Sequence, residues 1–337
     1  MNHQTFTVTE STPPVIVSAL KHWLTDLSWS KVRNLLRTRR VTVGGALCID
    51  EARKLSPDER VAVYEQSLPS PPTADDVKVH YIDRHIVVVE KPPRMVTLRH
   101  KQERNWQRSR KAKQPALEEV IPDLIYREDR EDKPKLMSVH RIDRDTSGLL
   151  VFARSEEARL KMIEQFSQHD VVRVYNAVVL GQPEHQTVRC QLVRNRGDGL
   201  RGSTTNKNDG KESVTHIRPK RTFKGVDGNQ YTEIECQLET GRTHQIRIHL
   251  MELGHPVCGD SVYRGKFGEA AAADTSKAPR LALHARELGF AHPDSDEALH
   301  FSSPWPKDLS RFLAKLEGVE ESSSAKAKAR SAVRGLR

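Results

Sequence analysis

Between Ser138 and Ala153 a charged segment, His140-Arg141-Ile142-Asp143-Arg144-Asp145, runs through Thr146-Ser147-Gly148 straight into the apolar run Leu149-Leu150-Val151-Phe152-Ala153. The apolar half has the composition of a strand inside a sheet, and the three small polar residues supply the entry to it. Such a junction sets a short acidic side chain at the mouth of a buried sheet. Asp143 stands there, able to act as a nucleophile, as a general base or as an ion-pair partner of neighbouring guanidinium groups. Taken alone, the pattern is commoner as a solvated surface ion pair than as a catalytic site.

Length and charge narrow the classes. With 337 residues, and domains of about 100–200 residues, one large unit plus a small one is expected. Lys and Arg outnumber Asp and Glu by 55 to 45, a formal charge of +10 that favours a polyanionic partner. Cys48, Cys190, Cys236 and Cys258 are scattered, with neither metal-ligand spacing nor a compact disulfide framework, so a reducing compartment is expected. Met1 to Pro14 lacks the apolar core of a secretory signal, and no apolar run is long enough to cross a bilayer. These features predict a soluble, cytoplasmic protein without membrane partners.

In chain order, residues 1–14 read as a flexible leader. Val15, Val17, Leu20, Trp23 and Leu24 fall on one side at helical spacing, and Ser28 or Ser30 caps a second helix over Lys31 to Arg40. Its outward side chains, Lys31, Arg33, Arg37, Arg39 and Arg40, make a cationic face suited to RNA, or simply a solvated one. Val41-Thr42-Val43, the turn Gly44-Gly45 and Ala46 to Ile49 predict a hairpin, with Val61 to Tyr64 as a further strand. Residues 67–75, rich in Pro and Ser, read as a linker between a unit at 15–66 and a larger one at 76–316. Within His100 to Lys113, Arg104, Trp106, Arg108, Arg110, Lys111 and Lys113 interleave cations with an indole, either an RNA-ordered loop or a loose insertion. Ser155 caps a helix, Arg173 to Gly181 is a strand carrying Tyr175, and Arg196 to Asp209 reads as loop. A helix is expected from Gly241, carrying Ile246 and Leu250 inward. Residues 317–337 read as a disordered basic tail.

Three stretches in order carry a resemblance: His140-Arg141-Ile142-Asp143 with Thr146-Ser147-Gly148, then Arg173-Val174-Tyr175-Asn176-Ala177, then Thr240-Gly241-Arg242-Thr243-His244-Gln245-Ile246-Arg247. Together they resemble the RluA-type pseudouridine synthase family, with Ile142 in place of Leu and Arg173 where Lys is common. Residues 15–65 resemble an S-four-like RNA-binding module. The resemblance implies an α+β fold: a mixed, largely antiparallel sheet around a cleft, preceded by that small module. It also implies isomerisation of uridine in structured RNA without cofactor, by breaking the bond from base to ribose and rejoining the base through carbon. Asp143 is then the nucleophile, Tyr175 sits beside the base and Arg247 pairs with Asp143. Arg141 fills the space of the flipped base, Arg242 binds phosphate and His244 touches RNA. Large-subunit ribosomal RNA is the favoured substrate, with transfer RNA open and no obligatory protein partner evident.

The neighbouring histidines His244, His249 and His255 invite a metal reading, but no Cys or second acid completes a ligand set, and none is expected. Two further readings stay open. One is an inactive RNA-binding or ribosome-assembly factor with the same fold; the other is a glycosidase using Asp143 and Asp145 as a carboxylate pair.

Overall fold

The structure is a computed structural model and describes residues 3–129, 136–206, 208–266, 268–269, 271 and 273–318. The basic tail beyond residue 318 and part of the segment before Met137 lie outside the described residues.

The N-terminal part contains β1 (His3–Thr7), α1 (Ile16–Trp23), α2 (Trp29–Arg37), β2 (Val41–Val43), β3 (Ala46–Leu47) and β4 (Arg60–Tyr64). Its four strands pair in the order β1-β4-β2-β3. Ile16, Leu20, Val32 and Leu36 are fully buried against Val41 and Val61, so the helical apolar stripes close over one face of the sheet. The turn between β2 and β3 takes φ of 55° at Gly44 and 74° at Gly45, a pair of left-handed conformations that explains Gly-Gly there.

Two expectations fail here. Residues 3–7 are not a flexible leader but a strand antiparallel to β4, with Phe6 stacked on Trp23 at 4.9 Å between ring centroids. The second helix ends at Arg37 instead of Arg40, because Arg39 adopts φ 57° and breaks the helical path. Ser28 caps it, accepting from the Lys31 N–H.

The larger part runs β5 (Lys78–Ile82), β6 (Ile86–Lys91), α3 (Arg108–Lys113), α4 (Leu117–Asp129), β7 (Met137–Ser138), β8 (Ser147–Ala153), α5 (Glu156–Gln168) and β9 (Val172–Leu180). It continues through β10 (Gln186–Val193), β11 (Gly202–Thr204), β12 (Lys211–Lys224), β13 (Gln230–Leu238), α6 (Gln245–Glu252), β14 (Leu283–Ala291), β15 (Ala298–Ser302) and α7 (Lys307–Leu316). Among the described residues, eleven strands form one sheet: nine follow the path β11-β10-β12-β13-β9-β14-β8-β6-β5, with β15 paired to β14 and β7 to β8 off that path. Every pairing is antiparallel except β14 with β8, so the fold is α+β with a mixed, largely antiparallel sheet.

The continuous apolar run of β8 follows from burial on both faces. Leu150 and Phe152 enter the main core, while Leu149 and Val151 enter a second core under α5 with Met162. Gly148 is needed because a Cβ would lie 2.2 Å from the Ala285 carbonyl oxygen, where β14 runs alongside. This close parallel junction delivers the preceding charged loop to the centre of the sheet.

The sequence reading omitted β11 and the fourteen-residue β12, whose alternation is interrupted by charge and by a register shift at Pro219/Arg221. The segment at 100–113 contains a short 3-10 turn and α3, with Arg99 over the Trp106 ring at 5.7 Å. The two parts touch: Arg144 donates to the Gly45 carbonyl at 2.6 Å, and the Gln114 amide to the Leu47 carbonyl. No helix among the described residues is long and apolar enough to cross a membrane.

Candidate active site

The Asp143 loop is pinned on both sides. Ile142 is buried, its N–H reaching Thr97 Oγ1 at 3.3 Å while that hydroxyl donates to the Ile142 carbonyl at 2.8 Å. On the other side Lys91 donates to the Arg144 carbonyl at 3.0 Å and to the Pro92 carbonyl at 2.8 Å. Burial pushes the Lys91 ammonium down to about 7, against the pull of Asp145 and Asp143. Further along, Ser147 Oγ and His284 Nδ1 share a hydrogen bond of 2.9 Å, and the imidazole reaches Ser303 Oγ at 3.2 Å. His140 is held neutral by burial, pushed down to about 3, and its Nε2 accepts from the Val151 N–H at 3.1 Å. The loop that carries Asp143 is therefore a fixed platform.

Asp143 opens into a cleft of about 70 Å³ lined by Arg141, Arg173, Tyr175, Arg242, His244 and Arg247, among others. Its side chain is 17% exposed, with Arg247 NH1 3.8 Å from one oxygen and His244 Nε2 4.0 Å from the other. The expected pairing of Arg247 with Asp143 is present at 3.8 Å, but it is the looser of two. The main partner of Arg247 is Asp260, gripped at both ends by Nε at 2.6 Å and NH2 at 2.8 Å. Burial lowers the Arg247 pKa, but Asp260 and then Asp143 outweigh it and raise it. The guanidinium also lies 4.9 Å from the centre of the Tyr263 ring. Arg247 is thus a fixed cation offering its remaining nitrogen to Asp143.

The helix that carries Arg247 starts later than expected, at Gln245, because His244 takes φ 60° just before it. Gln245 closes the approach: its side-chain oxygen accepts from the Arg242 N–H at 3.0 Å and from Thr240 Oγ1 at 2.8 Å. That turn aims His244 at Asp143, and its Nδ1 shares a 2.8 Å hydrogen bond with the Tyr263 hydroxyl. Burial lowers the His244 pKa, opposed by Asp143. Tyr175 projects from β9 into the same cleft, and burial pushes its phenol up to about 12.

Sequence-named residues therefore divide. Asp143, Tyr175, Arg247, Arg141, Arg242 and His244 converge on one cleft, whereas Lys31, Arg33, Arg37, Arg39 and Arg40 lie on the N-terminal part and do not line it. Arg33 and Arg37 face Glu51 at 3.3 and 3.1 Å. Arg39 and Arg40 donate to the Leu68 and Tyr64 carbonyls, so that face is less open than its composition implies. Asp145 turns away to Arg144 at 2.8 Å and lines a neighbouring cavity of about 550 Å³. Asp143 and Asp145 thus open into different cavities and do not flank one substrate bond as a carboxylate pair. Asp260, Tyr263 and Lys91 were given no role from the sequence, and Arg173 was read there only as a motif position. An Arg on the core side of α6 favours a nearby carboxylate, the one available signal for Asp260.

A family model described as RNA pseudouridylate synthase matches residues 85–252, a span that holds Asp143, Tyr175 and Arg247. The ribosomal large subunit pseudouridine synthase D of Xanthomonas campestris is 35% identical over 262 residues, covering 75% of this chain and 73% of that protein. The chain belongs to the RNA pseudouridylate synthase family. A protein of the same name from Zymomonas mobilis is 34% identical over 307 residues, covering 86% of this synthase and 90% of the relative. The solved structure of human RNA Pseudouridylate Synthase Domain Containing 4 shares the fold, with TM-score 0.54, 21% identity, and 71% of this chain and 92% of that chain covered. This RNA pseudouridine synthase is accordingly an isomerase.

Proposed function

We propose that this synthase isomerises uridines in large-subunit ribosomal RNA, in the cytoplasm, with Asp143 as the nucleophile. The RNA assignment is supported by the names of the relatives from Xanthomonas campestris and Zymomonas mobilis. The observation that carries the site assignment is the geometry at Asp143: a carboxylate facing a cleft, with a buried Arg247 nitrogen 3.8 Å away whose charge is already anchored by Asp260. Such a partner sets a fixed positive charge beside the carboxylate without tying up its lone pairs in a tight bidentate bond.

A uridine in folded RNA must leave its stack to reach this cleft, at a cost of roughly a few kcal/mol. Arg141, exposed beside Asp143, fills the space the base vacates. Asp143 then attacks the ribose, or removes a sugar proton to give a glycal. Either way the bond from nitrogen to ribose breaks with its electrons on uracil, the base turns, and a ring carbon forms the new bond. The ribose ester of Asp143 is displaced in the first route and Asp143 returns the sugar proton in the second; in both the ring carbon gives up its proton and nitrogen regains one, so the atoms balance without a cofactor. Tyr175 packs beside the uracil, and a phenol held near 12 offers a hydrogen-bond donor more readily than a base. Residues 3–66, with β1 included, form an S-four-like RNA-binding unit and 76–316 the catalytic unit. Arg242 binds phosphate at the rim.

An unmodified transcript of large-subunit ribosomal RNA, incubated with the protein, digested to nucleosides and resolved by chromatography, tests the reading. The parent forms pseudouridine and Asp143→Asn forms none, while both bind the transcript. Parental turnover by Asp143→Asn removes the nucleophile assignment; product on transfer RNA transcripts alone removes the ribosomal one.

A further inference from the structure

We infer that Arg173 holds a phosphodiester of the RNA adjoining the nucleotide that enters the Asp143 cleft. The inference rests on the proposed function only for the identity of that RNA. Arg173 is 7% exposed on β9 and lines the same cleft as Asp143. Its NH2 donates to the Glu239 carbonyl at 2.6 Å and, more weakly, to that of Leu238 at 3.4 Å. Its Nε is buried without any hydrogen-bond partner. Phe166 lies under the guanidinium at 5.3 Å.

Burial lowers the Arg173 pKa, and the neighbouring charge that adds to this is another cation, Arg242. Among the described residues no carboxylate faces it at ion-pair distance, in contrast to Arg247 with Asp260, Arg99 with Glu119 and Arg196 with Asp198. A guanidinium taken out of water without a counter-charge is strongly unfavourable, so the arrangement is complete only when an anion arrives from the cleft. Phosphate fits, since its oxygens match the fork of N–H donors. The opening is preserved by Gly241, where a Cβ would lie 2.9 Å from Arg173 NH1 and push against it. Arg173 and Tyr175 share one face of the strand and stand about 7 Å apart along it. A uracil beside Tyr175 therefore brings a backbone phosphate toward Arg173, with Arg242 reinforcing the field.

The test uses the full chain, the unmodified large-subunit transcript, and the variants Arg173→Met, Arg173→Lys and Gly241→Ala. Removing a charged hydrogen-bond donor raises KM by roughly 10- to 100-fold. It also flattens the slope of log affinity against log salt by about 0.7–0.9, one phosphate contact. Arg173→Lys keeps that slope because the charge remains. Gly241→Ala weakens binding by displacing the guanidinium, and it decides the matter together with Arg173→Lys if Arg173→Met fails to fold. On a synthetic fragment carrying the modified uridine, single methylphosphonate neutralisation weakens the parent at one flanking position and leaves Arg173→Met indifferent there. An unchanged salt slope in Arg173→Met, or equal sensitivity of parent and variant at every phosphate, overturns the assignment. Equal losses in Arg173→Lys and Arg173→Met, with parental behaviour of Gly241→Ala, overturn it in favour of a strut for the Leu238 and Glu239 carbonyls. Absence of pseudouridine with the parent would overturn the ribosomal reading instead, because the salt slope is read on binding and needs no turnover.

Discussion

Replacing Asp260 by Asn tests whether Asp143 depends on an arginine that is held elsewhere. The Asp260 side chain is fully buried and accepts Nε and NH2 of Arg247 at 2.6 and 2.8 Å. One of its oxygens also accepts the N–H groups of Val262 at 2.8 Å and Tyr263 at 3.0 Å. Asn keeps the volume and one oxygen, so the loop contacts survive, but a buried guanidinium loses its counter-charge. Breaking such a pair costs about 3–5 kcal/mol. Arg247 recovers some of this by closing its 3.8 Å gap to Asp143 into a direct bond, which leaves a net loss of roughly 2–4 kcal/mol. At about 2–4 °C per kcal/mol for a domain of this size, Tm falls by about 5–15 °C. The same movement ties up the nucleophile, so kcat drops at least about tenfold even where the variant is folded. Calorimetry gives the first number and single-turnover pseudouridine formation at a temperature below both transitions gives the second. A Tm within about 2 °C of the parent, or an unchanged single-turnover rate, would refute the argument that Asp260 anchors Arg247.

Tyr175→Phe removes only the hydroxyl and should fold and bind RNA while losing turnover; parental turnover would reduce Tyr175 to a packing surface beside the base. Acid stability provides an independent check, because burial pushes both His249 and His284 down to about 4. Each imidazole then binds its proton more weakly folded than unfolded, so between pH 6.5 and about 4.5 the unfolded chain takes up more protons and stability falls with falling pH. These two groups give a slope of up to about 2.7 kcal/mol per pH unit, and His140, also held neutral by burial, adds up to about 1.4. Urea unfolding across that window measures it, and a flat profile would mean that these imidazoles are not held neutral by burial.

Much of the site was legible because it is written in local pattern. The apolar run of β8 is continuous, so it had to be a strand covered on both faces, and that alone located the Asp143 loop at the edge of a core. Period-two spacing on β9 placed Tyr175 on a defined face, and Ser155 announced α5, whose Ala158 N–H it accepts. The order of three short stretches tied Asp143, Tyr175 and Arg247 together before any distance was known. Gly148 was readable as an entry to the strand, although its reason, the Ala285 carbonyl beside it, was not.

What the chain order could not express is which charge meets which. Arg247 lies within reach of both Asp143 and Asp260, and only the folded geometry gives Asp260 the two-pronged bond at 2.6 and 2.8 Å. The left-handed conformations of Arg39 and His244 trimmed two helices in ways that periodicity does not encode, since tertiary contacts and not local preference hold a non-glycine residue there. β1 exists because β4 offers it a partner and Phe6 meets Trp23, both contacts between distant stretches. Sequence thus determined which side chains could do chemistry and which segments must be buried, because hydrophobic periodicity and turn composition act over a few residues. Tertiary structure alone decided the partners of the ions, because electrostatic pairing is set by distances of a few ångströms between residues far apart in the chain.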